Sequence, residues 1–135
     1  MAGLACDIVT PAAKLFSDDA YMVVVPGVEG EMGFLKGHVP LVSLLADGVV
    51  RIQAENGGET KRFALQGGYV QVTGQKVIIL ADRAAAVEDI NAEAVREKLA
   101  ELQATLAGMT EEEAAKTTLA ADISWCNAQL RALAA

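Results

Sequence analysis

The 135-residue sequence predicts a mainly β chain with an α-helical end. An N-terminal antiparallel β-sandwich or barrel occupies residues 1–83, and an antiparallel two-helix hairpin occupies 84–135. Two observations predict this. As far as residue 83, short β-branched runs are broken every 8 to 12 residues or so by turn residues, with no helix between them. From residue 91 onward there is no proline and one glycine, Gly108, while alanine, leucine, glutamate and lysine dominate.

In the first half, TKRFALQ (60–66) sets Phe63 and Leu65 against Arg62, Ala64 and Gln66, and GYVQV (68–72) puts Val70 and Val72 on one side. QKVIILAD (75–82) is apolar at Val77, Ile78, Ile79 and Leu80 alike, as expected of a strand covered on both faces. Turns are marked by Asp47-Gly48, Asn56-Gly57-Gly58, Gly67-Gly68 and Thr73-Gly74, the Asn-Gly step being the strongest hairpin signal.

In the second half, Val95, Leu99, Leu102 and Leu106 fall at i, i+4, i+7 and i+11, with Asn91 placed as N-cap and Gly108 as the stop. Thr110 and Glu113 form a capping box, and Glu111 to Glu113 place negative charge where a helix dipole is positive, so a second helix starts there. Its stripe is Ala115, Leu119, Ile123, Cys126, Leu130 and Leu133. Trp125 lies off that stripe, among Thr118, Ala121, Ala128 and Ala132, and is the expected anchor by which the hairpin docks, on its own sandwich or on a partner.

Composition narrows the function. With 53% apolar residues the chain is no disordered segment, and no apolar run approaches the roughly 20 residues of a membrane span. The N-terminus has neither a basic n-region nor a long apolar h-region, which leads to the expectation of a cytoplasmic location, with membrane association only through a partner. A net charge of -7 argues against nucleic acid. Cys6 and Cys126 sit at opposite ends with no C-x-x-C spacing and read as packed thiols.

A search for chemistry finds none. The only histidine, His38, has no neighbour in sequence to orient it as a base, and a metal set of Glu29, Glu31 and His38 would rest on a glycine-rich loop without fixed geometry. The glycines at 27, 30, 33 and 37 fit no phosphate-binding pattern. No catalytic residue, cofactor or metal is expected. A β-domain with an exposed loop carrying Glu31, Met32, Lys36 and His38, plus a loosely held hairpin, is the design of an interaction protein.

Four blocks in this order carry a resemblance: G-x-x-G-x-L-x-G-H-x-P-L at Gly30 to Leu41, Leu-x-x-Gly-x-Val-x-Ile at Leu45 to Ile52, the Gly67-Gly68 pair with its following strand, and Ile79 to Asp82. Over nearly its whole length the chain resembles the epsilon subunits of F-type ATP synthases. The resemblance implies a sandwich of about ten strands and a helical hairpin, in a non-catalytic rotor subunit of the central stalk. Such a subunit binds the gamma subunit and the proteolipid c-ring and couples proton flow to ATP synthesis. It is peripheral on the cytoplasmic face of the bacterial inner membrane. The resemblance further implies that the loop of Glu31, Met32, Lys36 and His38 faces the c-ring, and that the hairpin can reach the alpha and beta subunits. Some relatives bind ATP through an I/L-D-x-x-R-A motif, which here reads Ile90, Asn91, Ala92, Glu93, Ala94 and Val95, so weak or absent nucleotide binding is expected. Inhibition of ATP hydrolysis by the hairpin is expected to be weak too, because residues 110–135 carry two cations, Lys116 and Arg131, against four carboxylates.

Overall fold

The computed structural model describes residues 3–134. Eight strands come first: β1 (Leu4–Val9), β2 (Lys14–Ala20), β3 (Met22–Gly27), β4 (Gly30–Leu35), β5 (Leu41–Leu44), β6 (Gly48–Gln53), β7 (Thr60–Val72) and β8 (Lys76–Ala86). Helices α1 (Ala92–Ala107), α2 (Glu111–Ala115) and α3 (Leu119–Ala134) follow. The strand order is β2-β1-β8-β7-β6-β3-β4, and β5 pairs with β7 off this path. Eight strands among the described residues stand against the ten or so that the resemblance implied, and the sandwich is not wholly antiparallel, since β1 runs parallel to β8.

The long pair β7 and β8 makes two layers out of one hydrogen-bonded sheet. The first half of β7 pairs with β6 and its second half with β5, while β8 lies along both halves. Between the halves Gly67 and Gly68 take φ of +57° and +109°, which L side chains rarely adopt. There the inward-facing parity shifts by one residue: Phe63 and Leu65 point into the core before the glycines, Val70 and Val72 after them. On β8 the inward set changes likewise, from Val77, Ile79 and Ala81 to Ala84 and Ala86. The chain thus turns a corner inside a continuous strand, where the sequence reading placed a turn between two. The core enclosed this way includes Leu4, Ile8, Val23, Phe34, Val50 and Ile52, all at most 1% exposed.

Asp7 projects from the other face of β1 into a small ionic cluster. Ser17 Oγ donates to its carboxylate at 2.8 Å, with Lys76 Nζ at 3.2 Å and Lys14 Nζ at 3.7 Å. The Ser17 hydrogen bond, then Lys76 and Lys14, hold this carboxyl below its ordinary value of 3.8, against the opposing effect of burial. A carboxyl depressed in the folded state stabilises it above the unfolded value and loses that contribution as pH falls through the folded one. Asp7→Asn is therefore expected to lower the melting temperature at pH 7 and to narrow its gap to the parent below pH 4 or so; a constant gap across urea melts from pH 7 to 3 would show that charge is not what Asp7 contributes.

The hairpin forms with one break. Asn91 accepts from the Ala94 amide at 3.0 Å, and Thr110 and Glu113 form the capping box. The expected single second helix is interrupted after α2. Thr117 Oγ1 donates to the Ala114 carbonyl at 2.8 Å and accepts from the Leu119 amide at 3.2 Å, so its hydroxyl replaces the helical ladder. Ala115 is consequently exposed and outside the seam, which is built from Val95, Leu102 and Cys126 with Leu99, Leu119, Ile123 and Leu130.

Candidate functional site

The segment singled out around His38 is less of a loop than the glycines suggest, because Gly30–Leu35 is strand β4 and only the residues beyond it connect to β5. Glu31 stands near one end of β4 and pairs bidentately with Arg51 at 2.8 and 3.2 Å. That hydrogen bonding keeps its carboxyl below the ordinary range. Met32 is half-buried and packs against the sandwich core. Lys36 and His38 follow the other end of the strand, Lys36 exposed and His38 half-buried. The His38 ring meets Phe34 edge to face at 4.9 Å between centroids, and its Nδ1–H donates to the Val39 carbonyl at 2.7 Å. Extended backbone at about 3.3 Å per residue keeps Glu31 and His38 apart, so Glu29, Glu31 and His38 do not converge. Among the described residues no group of three or more His, Cys, Asp or Glu side chains is placed to hold a metal.

Trp125 sits on its own sandwich. It packs with Val49, Ala64 and Ala132, beside Val87 and Ile90. Polar contacts surround this small apolar seat. Gln66 Nε2 donates to the Ala121 carbonyl at 2.7 Å and Arg83 pairs with Asp122 at 2.8 Å. Asp47 receives the Ser124 hydroxyl on its carboxylate and the Arg131 guanidinium on its carbonyl, the latter at 3.2 Å. Sequence reading missed Asp47, Gln66 and Arg83, since nothing local links residues some 40 to 80 positions apart to a helix that settles on them.

A cleft of about 420 Å³ lies where the end of β8 meets α1 and α3, lined in part by Arg83, Asp89, Asn91, Lys98, Asp122 and Trp125. It includes the segment matched to the nucleotide motif. Its arginine is already engaged by Asp122, which leaves Lys98 as the other cation of the lining against the carboxylates of Asp89 and Asp122, a charge balance that does not favour a polyphosphate. Neither thiol is poised for chemistry: burial, then Asp7, pushes Cys6 up to about 12, and burial likewise raises Cys126.

One exposed feature includes Leu80, a residue that the sequence reading placed under cover. In the register of the sheet, Leu44 on β5 lies opposite Tyr69 on β7, Tyr69 opposite Leu80 on β8, and Leu80 beside Val9 on β1. On β2 the register sets Lys14 opposite Val9, and Leu15 is the unpaired residue beside it at the β1–β2 irregularity. Four of these are 54%, 52%, 42% and 41% exposed (Leu44, Tyr69, Leu80, Leu15), an apolar row across five strands on the outer face. The expectation that the VIIL run is covered on both sides is thereby corrected: Val77 and Ile79 face the core, Ile78 is half-buried and Leu80 faces out. Among the described residues no helix is long and apolar enough to cross a membrane.

Comparison with known proteins gives one consistent answer. Residues 3–87 match the family described as "ATP synthase, Delta/Epsilon chain, beta-sandwich domain". The ATP synthase epsilon chain of Granulibacter bethesdensis is 38% identical over 79% of this chain and 78% of its own, and that of Chromohalobacter salexigens 35% identical over 98% and 93%. In fold the chain is similar to one in the mitochondrial ATP synthase OSCP/F1/c-ring structure of Euglena gracilis, with a TM-score of 0.70 and 23% identity over 99% of this chain and 79% of that one. With a family match over most of its length and epsilon chains as its relatives, this chain belongs to the delta/epsilon family of ATP synthase subunits.

Proposed function

We propose that this ATP synthase subunit works in the central stalk as a non-catalytic coupling part of the rotor. Its sandwich grips the gamma subunit and rests on the c-ring, so that a ring turned by proton flow carries gamma with it. The observation that supports this most is the apolar row from Leu44 to Leu15: a monomer seldom leaves such a continuous transverse row in water, and rims of that kind mark docking faces. We assign the row to gamma. The β4 edge and the loop after it, with Glu31, Met32, Lys36 and His38, face polar loops of the ring. There the Glu31–Arg51 pair and Lys36 set orientation more than affinity. The complex sits on the cytoplasmic face of the bacterial inner membrane, and this chain is held there by its partners.

Mixing the purified chain with purified gamma and resolving the mixture by size exclusion tests the reading. A stoichiometric complex is expected; separate elution of the two proteins at micromolar concentration would overturn it. Regulation is expected to be slight. The hairpin is attached to the sandwich through Asp47, Arg83 and Gln66, and its last segment carries too few cations to seek an acidic surface on the alpha and beta subunits. For the cleft, millimolar ATP is expected to leave the melting temperature of the chain unchanged, whereas a rise of several degrees would show that nucleotide binds despite Asn91 and Ala94.

A further inference from the structure

We infer that Asn56 is a site of spontaneous covalent modification, its side-chain amide being converted to a carboxylate after attack by the Gly57 backbone nitrogen. The Asn56-Gly57-Gly58 run lies in the loop between β6 and β7, and Asn56 and Gly57 are both exposed there. The Gly58 amide donates to the Glu55 carbonyl at 2.9 Å, which closes a turn with Asn56 and Gly57 at its central positions.

The two reacting groups are free to meet. Among the described residues neither the Asn56 side chain nor the Gly57 amide has a hydrogen-bond partner, so neither gives up a bond in order to react. Gly57 takes φ of +79°, and nothing lies within 4 Å of a Cβ placed on it. With no side chain at that position and no neighbour packed against it, the backbone can rotate until its nitrogen reaches Asn56 Cγ.

The reaction needs only water. The Gly57 nitrogen gives up its proton and bonds to Asn56 Cγ, the Cγ–Nδ2 bond breaks, and the amide leaves as ammonia, which closes a five-membered succinimide. Water then opens the ring, and nothing is oxidised or reduced. Opening at Cγ restores the original peptide and leaves aspartate. Opening at the backbone carbonyl leaves isoaspartate, with the chain routed through the former side chain. Either product adds a negative charge to the hairpin tip of a chain that already carries -7.

The fold blocks the same chemistry elsewhere. Asn91 accepts from the Ala94 amide at 3.0 Å as the N-cap of α1, and Asn127 lies inside α3, ahead of the fully buried Ala128, whose amide belongs to the helical ladder. The Asp47-Gly48 step could close the same ring by losing water. There, however, Asp47 receives the Ser124 hydroxyl, and a Cβ on Gly48 would lie 2.8 Å from Pro26 Cβ, so that backbone is packed in place.

Ageing the full chain at mildly alkaline pH, followed by peptide mass spectrometry with fragmentation that separates isoaspartate from aspartate, tests the inference. The peptide AENGGET sets the unconstrained rate. Residue 56 is expected to convert within about tenfold of that rate, mainly to isoaspartate, and about tenfold or more faster than Asn91 or Asn127. Gly57→Ala is expected to slow the conversion by about tenfold or more, because a Cβ hinders the approach of the nitrogen. Asn56→Gln, which keeps the turn glycines and would have to close a six-membered ring, is expected to stay an amide. An unmodified Asn56 after the peptide has converted fully overturns the inference, as does conversion of Asn91 or Asn127 at an equal rate. Acid formed as fast in Gly57→Ala or in Asn56→Gln as in the parent overturns it too, since the Gly57 nitrogen would then not be the attacking group.

Discussion

Replacing Gly68 by alanine is expected to cost the sandwich about 3 to 5 kcal/mol, enough to leave a marginal domain largely unfolded. Two effects add at this position. Its φ of +109° is strained for any residue with a Cβ, and that Cβ would lie 2.9 Å from Ala81 Cα and collide with the Leu80 carbonyl, backbone atoms that cannot swing away. The Gly68 carbonyl also accepts the Leu45 amide at 2.9 Å, so a shift there would be felt in the segment after β5. Gly30 provides the control. Its φ is +128° but nothing lies within 4 Å of a Cβ, and Gly30→Ala is expected to carry the conformational strain alone, about 1 to 3 kcal/mol. Urea denaturation of both variants decides the matter. Equal losses would mean that close packing of β7 on β8 at the corner contributes nothing, and the account of how one hairpin serves two layers would have to be abandoned.

That corner marks the boundary of what the linear sequence discloses. Phe63 and Leu65, then Val70 and Val72, are readable as core residues from their alternation, and all four are buried. What alternation does not carry is that Gly67-Gly68 reverses parity without breaking the strand, since a glycine pair between two apolar runs reads equally well as a tight turn. Most of the helical seam was legible for a like reason, its spacing of three and four residues being set by helix geometry alone, although Leu106 and Leu133 of the expected stripes are not among its residues. The break at Thr117 was not, because it depends on a hydroxyl choosing backbone partners over the ladder. At the exposed apolar row the limit is sharper. Val77 to Leu80 is a run of four apolar residues, and a run with no polar member does not say which of its faces another part of the same chain covers. Glu31 and His38 were visible as unusual residues near glycines, but the role of Glu31 is set by Arg51, twenty positions away and brought alongside by the pairing of β3 with β6. Local pattern finds residues; sheet register finds their partners.

Register also identifies where the proposed docking face can be tested without disturbing the core. The double variant Leu44→Asp, Leu80→Asp is expected to weaken gamma binding by about a hundredfold or more, with a melting temperature within a degree or two of the parent. Both side chains point outward and are roughly half exposed, so the free protein tolerates a carboxylate at either site. A partner closing over the row would strip each new charge of its water without supplying a counter-charge, and at an interface core that penalty exceeds the lost apolar contact itself. Val39→Asp is the off-row comparison, adding one charge where the double variant adds two: Val39 is still more exposed, at 73%, but lies in the segment after β4. It is expected to leave the affinity for gamma within a factor of about three. Isothermal titration of the three proteins with gamma separates the possibilities. If the double variant binds as tightly as the parent, the apolar row is not the docking face. If Val39→Asp weakens binding just as much, then added negative charge on an already acidic chain, rather than burial of the row, is what gamma rejects.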